Sequence, residues 1–156
     1  MYTADRFPFL RTDADGNTLG WHIEPLWKLA KNLPVERIKI DTVKDGEFVR
    51  KRMQKYLNNH DRHGTDFIRI RECKLDHPIL FNQHGELLDG RHRFCKAYFM
   101  GEKAILARRF VTDPDPDFVL VNDKEVPWSE WKEKNLTTES YTPTASLPAS
   151  ARWKKE

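Results

Sequence analysis

Three consecutive cations stand at the start of a segment patterned as a helix, and the stretch leading into them restricts the fold more than any other part of the chain. Residues 78–93 read PILFNQHGELLDGRHR. Two apolar runs, Pro78–Phe81 and Leu87–Leu88, flank a polar turn that contains Gly85, which predicts a β-hairpin. The second run stops at Asp89-Gly90. Beyond it Phe94, Ala97 and Tyr98 fall at helical spacing. Gly90 is thus expected where a strand turns into a helix, with Asp89 as a candidate N-cap. Arg91, His92 and Arg93 then occupy the first helical turn, the wrong end of a helix for positive charge. The macrodipole and the N–H groups there favour anions by about 0.3–1 kcal/mol per group. Three violations in a row point to an anion that completes the site, and phosphate is the usual one.

The pattern PI-(hairpin)-LLDGRHR-(helix)-MGEKAILARRF resembles the core of the ParB/sulfiredoxin superfamily, over roughly residues 24–111. Members carry a Gly-x-x-Arg box at this strand-to-helix corner, Gly-Glu-Arg-Arg in ParB and Gly-Cys-His-Arg in sulfiredoxin. Here it is Gly90-Arg91-His92-Arg93. Leu26–Ile40, LWKLAKNLPVERIKI, is similar to the opening helix and first strand of stand-alone ParB-like proteins. The resemblance implies an α/β (α+β) fold, a small mixed sheet with packed helices. It also implies a nucleoside triphosphate, CTP or ATP, with Mg2+ as an accompanying option. The phosphate would lie on Gly90, Arg91, His92 and Arg93. Arg91 departs from the family, replacing both the reactive Cys of sulfiredoxin and the Glu of ParB. Thiol reduction is therefore not expected, Cys95 lying one helical turn further on. Any general base must come from elsewhere: Asp89, Glu86 and Asp76 are the carboxylates available, and Asp89 and His92 the catalytic candidates.

With 38% hydrophobic and 33% charged residues, the 156-residue chain is expected to fold as one soluble core. No apolar run approaches a membrane span and no signal-peptide pattern opens the chain, so a cytoplasmic protein is expected. Cys73 and Cys95 form no paired motif and read as buried thiols. The net charge of +3 permits a nucleotide or DNA partner without requiring one.

The expected organisation is an N-terminal arm over 1–23, a domain over 24–135, and a flexible tail over 136–156 rich in Thr, Ser, Ala and Pro. Within the domain, a helix is expected over Glu24–Asn32 with Leu26, Leu29 and Ala30 as its apolar stripe, then a strand over Val35–Ile40. A second helix, Phe48–Leu57, would bury Phe48, Met53, Tyr56 and Leu57. Residues 66–74 permit strand or short helix, and the resemblance favours the helix. After the hairpin and the helix Arg91–Met100 with Gly101 as C-cap, a strand returns over Lys103–Val111. The acidic DPDPD run at 113–117 reads as a stiff linker, Phe118–Val121 as a strand, and Pro127 as the first residue of a final helix.

Other constellations are weaker. Asp13-Ala14-Asp15-Gly16-Asn17 resembles a calcium loop but lacks glycine at the sixth position. His60, His63, Cys73, His77 and His84 lack zinc-site spacing, so no metal site is expected. His60 or Arg62 could instead approach the nucleotide. Arg50, Lys51, Arg52 and Lys55 make the second helix basic, either a solvated face or a phosphate-contacting one. Of Arg108 and Arg109, alternation turns one toward the box, and Arg108 is added to the phosphate-binding set. Two functional classes remain open: nucleotide hydrolysis or phosphoryl transfer, and a DNA-associated or protein-interaction accessory module, phage or bacterial, without catalysis. No helix-turn-helix segment follows residue 111, which argues against operator recognition. The oligomeric state is left open by the sequence.

Overall fold

The computed structural model describes residues 7–44, 46–58 and 68–136. In chain order its elements are β1 (Phe9–Thr12), β2 (Thr18–Trp21), α1 (Ile23–Ala30), β3 (Glu36–Lys39), α2 (Gly46–Asn58), β4 (Ile79–Phe81) and β5 (Leu87–Asp89). They continue with α3 (Arg91–Phe99), β6 (Ala104–Arg109), β7 (Phe118–Val121), β8 (Lys124–Pro127) and α4 (Trp128–Asn135). The fold class is α+β, as expected. No helix among the described residues is long and apolar enough to cross a membrane. The described residues divide into two compact units, one built from 7–32 and 112–136, the other from those between 33 and 111. The stretch 24–135 contributes to both.

The first unit is an antiparallel sheet of order β1-β2-β7-β8. Its first hairpin closes through Asp13, whose Oδ1 accepts the amides of Asp15 at 2.9 Å and Asn17 at 2.8 Å. That carboxylate is a turn-former. Gly20 pairs with Phe118 across β2 and β7, and a Cβ on it would lie 2.1 Å from the Phe118 ring, so only glycine lets the ring cross the strand there. The acidic run is no simple linker. Pro114 O accepts the Trp21 indole N–H at 2.9 Å, the Asp117 carboxylate accepts the His22 amide at 2.7 Å, and Asp117 O accepts the Trp128 amide at 3.0 Å.

Two sequence expectations change in this unit, and one strand is added. Leu26 and Ala30 are buried as expected, but α1 begins at Ile23, which is buried with them, and Leu29 is 60% exposed. Asn122 and Asp123 adopt φ of 51° and 63°, a two-residue turn that folds 124–127 back as β8. Pro127 closes that strand and stands at the N-cap of α4, one residue before the helix.

The second unit is a mixed sheet of order β3-β6-β4-β5. β6 runs antiparallel to β3 and parallel to β4, with Ile79 opposite Ala107. A parallel pair needs a long crossover, and β5 with α3 supplies it. Ile38, Ile79, Phe81, Phe94, Ile105 and Ala107 centre the core, each large side chain stabilising by about 1.5–3 kcal/mol on burial. α2 enters through Val49, 2% exposed; the side chains of Phe48, Met53, Tyr56 and Leu57 lie outside those described. Residues 68–72 are helical, with Ile70 in the core and Ile68 on the surface. His60, Arg62, His63, Phe67 and the tail from residue 137 lie outside the described residues.

Candidate functional site

The corner between β5 and α3 is shaped by a backbone need. Gly90 has φ 109° and ψ 21°, left-handed space that side chains rarely enter. A Cβ on Gly90 would stand 2.4 Å from Ile79 Cγ2. The helix therefore starts directly against β4. Asp89 does not cap it: Asp89 is the last residue of β5, opposite Leu80, and Gly90 is the N-cap without a side-chain cap bond. The register shifts between the Leu80 and Phe81 pairs, so β5 carries one extra residue before the corner.

The first turn of α3 holds no acidic residue. The first intrahelical bond runs from the Phe94 amide to Gly90 O at 2.9 Å, so the amides of residues 91–93 have no intrahelical acceptor. Arg91 is exposed, and His92 and Arg93 are half-buried. Arg93 Nη2 donates to Pro78 O at 3.2 Å and lies 4.0 Å from Asp89 Oδ2, the two side chains being 19% and 23% exposed. One turn further, Lys96 Nζ donates to Arg71 O at 2.8 Å and Cys73 O at 2.6 Å. Arg93 and Lys96 thus tie one side of α3 to the carbonyls of 71–78. Burial pushes the Cys73 thiol up from its ordinary value, partly offset by the charges of Lys96 and Arg93.

The structure brings Asp89, Gly90, Arg91, His92 and Arg93 to one corner. Arg108 is half-buried on β6 opposite Leu80. Asp89 is opposite Leu80 from the other side, so Arg108 lies two strand spacings from Asp89, about 10 Å at the backbone. Asp76 is at the surface beside His77, at 3.9 Å. Glu86 is engaged by the Asn82 side-chain amide at 2.7 Å.

Two contributors had no place in the sequence reading. Asn82, 2% exposed, accepts the His84 and Glu86 amides on Oδ1 at 3.0 and 2.9 Å and so builds the hairpin turn. An Asn directly after a strand is the signal that would have found it. Lys96 had only its i+3 spacing from Arg93 to mark it.

Chemically, the corner offers helix-terminal amides, a surface guanidinium at Arg91, an imidazole at His92 and a second guanidinium at Arg93. This donor set suits a phosphate. No protein-family model, curated protein or solved structure matches the chain.

Proposed function

We propose that the Gly90–Arg93 corner binds the phosphates of a nucleoside triphosphate, CTP or ATP. The observation that carries this reading is the start of α3: two arginines flanking a histidine, no acidic residue in the turn, and no side-chain cap on the helix. Without an anion those charges oppose the macrodipole at about 0.3–1 kcal/mol each; a phosphate reverses the sign of the interaction. The resemblance of the hairpin, box and return strand to the ParB/sulfiredoxin core supports a nucleotide as the source of that phosphate.

In this reading Arg91 is the mobile clamp, Arg93 the fixed one, and His92 a hydrogen-bond donor. Arg108 faces the same row of the sheet as Asp89. Hydrolysis or phosphoryl transfer would fall to Asp89 or His92 as the proton-handling group. Mg2+ would supply charge neutralisation between the phosphates. Among the described residues no group of three His, Cys, Asp or Glu is placed to hold it, so it would arrive with the nucleotide.

Calorimetric and thermal-shift titration with CTP, ATP, ADP and GTP, with and without Mg2+, tests the reading. Saturation at a hundred times Kd should stabilise the fold by about 2.7 kcal/mol. Arg91→Ala should weaken binding by about tenfold, the worth of one charge-assisted bond, and leave the unliganded melting temperature in place. A wild-type chain that none of these nucleotides shifts would sink the proposal. Phosphate release then separates an enzyme from a nucleotide-controlled module.

A further inference from the structure

We infer that the outer face of α2 is a nucleic-acid surface that grips phosphates without reading sequence. Its cations lie on α2, whereas the nucleotide corner opens α3.

The first support is where the charge lies. α2 carries Arg50, Lys51, Arg52 and Lys55 against one acid, Glu47. Four minus one is an excess of three, which equals the formal net charge of the whole chain. Everything outside this 13-residue helix is balanced. All four cations are exposed.

The second support is geometry. Val49 is buried and fixes the inward direction of the helix. At about 100° per residue, Lys51 and Lys55 fall at about 200° and 240° from Val49, almost directly outward. Arg50 and Arg52 flank them at about 100° and 300°. The outermost arc carries Glu47, Lys51, Gln54 and Lys55, all polar and exposed. From Arg50 to Lys55 the axis advances about 7.5 Å, which spans two to three phosphates of a strand at about 3.4 Å each.

The third support is aromatic. The Arg50 guanidinium lies over the Tyr98 ring at 5.5 Å from its centroid, and Tyr98 is 39% exposed. The ring holds Arg50 beside the outer arc of α2.

The test uses the full chain and fluorescence anisotropy of a labelled random-sequence duplex and its single strand, at stepped salt without nucleotide. Both probes should bind, with log affinity falling against log salt at a slope of about −3 for duplex and about −2 for single strand. Lys51→Glu with Lys55→Glu should cut affinity more than about tenfold and flatten the slope by about two. Glu47→Gln should tighten it, and Arg91→Ala should leave it unchanged. Absence of binding at low salt, equal binding by the double variant, loss of binding in Arg91→Ala, or capture only by anionic lipid vesicles would each overturn the inference.

Discussion

Asp89 and Arg93 lie 4.0 Å apart at a corner where an anion is proposed to bind, so a phosphate arriving there meets a carboxylate already placed beside the guanidinium. Replacing that carboxylate by an amide removes a like charge from the ligand. Asp89→Asn is therefore expected to tighten nucleotide binding by about fivefold, near 1 kcal/mol at a partly screened site. Weaker binding in the same titration would assign Asp89 to the ribose or to a metal-bound water instead. Cys73 permits a second measurement. Its thiol is raised by burial above the ordinary 9.0, and Lys96 and Arg93 pull the other way. Alkylation of Cys73 should show a midpoint above 9.0, and Lys96→Met should move it higher, because a lowering charge is gone. A raised thiol favours the protonated form in the fold. Its stabilising contribution is thus complete below the ordinary value and lost as pH climbs past the raised one. The cations of the box were legible from position alone. The cap was not, because Asp89 belongs to β5 through its pairing with Leu80, a partner nine residues upstream that local propensity cannot see.

At the scale of elements, the hairpin β4–β5, the helix α3 and the strand β6 follow the sequence closely, since apolar runs and glycine punctuation agree there. Gly101 closes α3 with φ 75°, and the Glu102 amide reaches Ala97 O at 2.9 Å while the Gly101 amide reaches Tyr98 O at 3.1 Å. Gly90 is the more sensitive glycine. Gly90→Ala must accept both a left-handed backbone and a clash with Ile79. A loss of about 2–4 kcal/mol in chemical denaturation is expected. A loss under about 1 kcal/mol would mean that the corner can open away from β4. The elements that escaped the reading did so for identifiable reasons. β8 alternates poorly, with charged Lys124 and Glu125 at its start, and its clue was the Asn122-Asp123 turn rather than its own pattern. Leu29 fits a helical stripe by spacing, yet the register of α1 is set by Ile23, and Leu29 falls off the buried side.

At the scale of the whole molecule, composition reported the net charge but not its placement on α2. Reversing Lys51 and Lys55 changes the charge by two at each site, taking +3 to −1. The double variant should lose retention on a cation exchanger at neutral pH while keeping the wild-type circular dichroism, since Lys51 is 78% exposed at its side chain. The division into two units was not legible, because composition barely changes near residues 32 and 111. That division bears on the order of events during synthesis. β2 must find β7, and Leu19 pairs with Val119 across about 100 residues of chain. The described residues of the intervening unit all precede β7 and can fold before it emerges. When they do, Glu36 comes to lie opposite Ala107, and the segment separating β2 from β7 shrinks in effect to its two short flanks. A tenfold shorter loop lowers the closure cost by about 2 kcal/mol. Folded first, the intervening segment serves β2 and β7 as a short loop, and their pairing becomes in effect a local event.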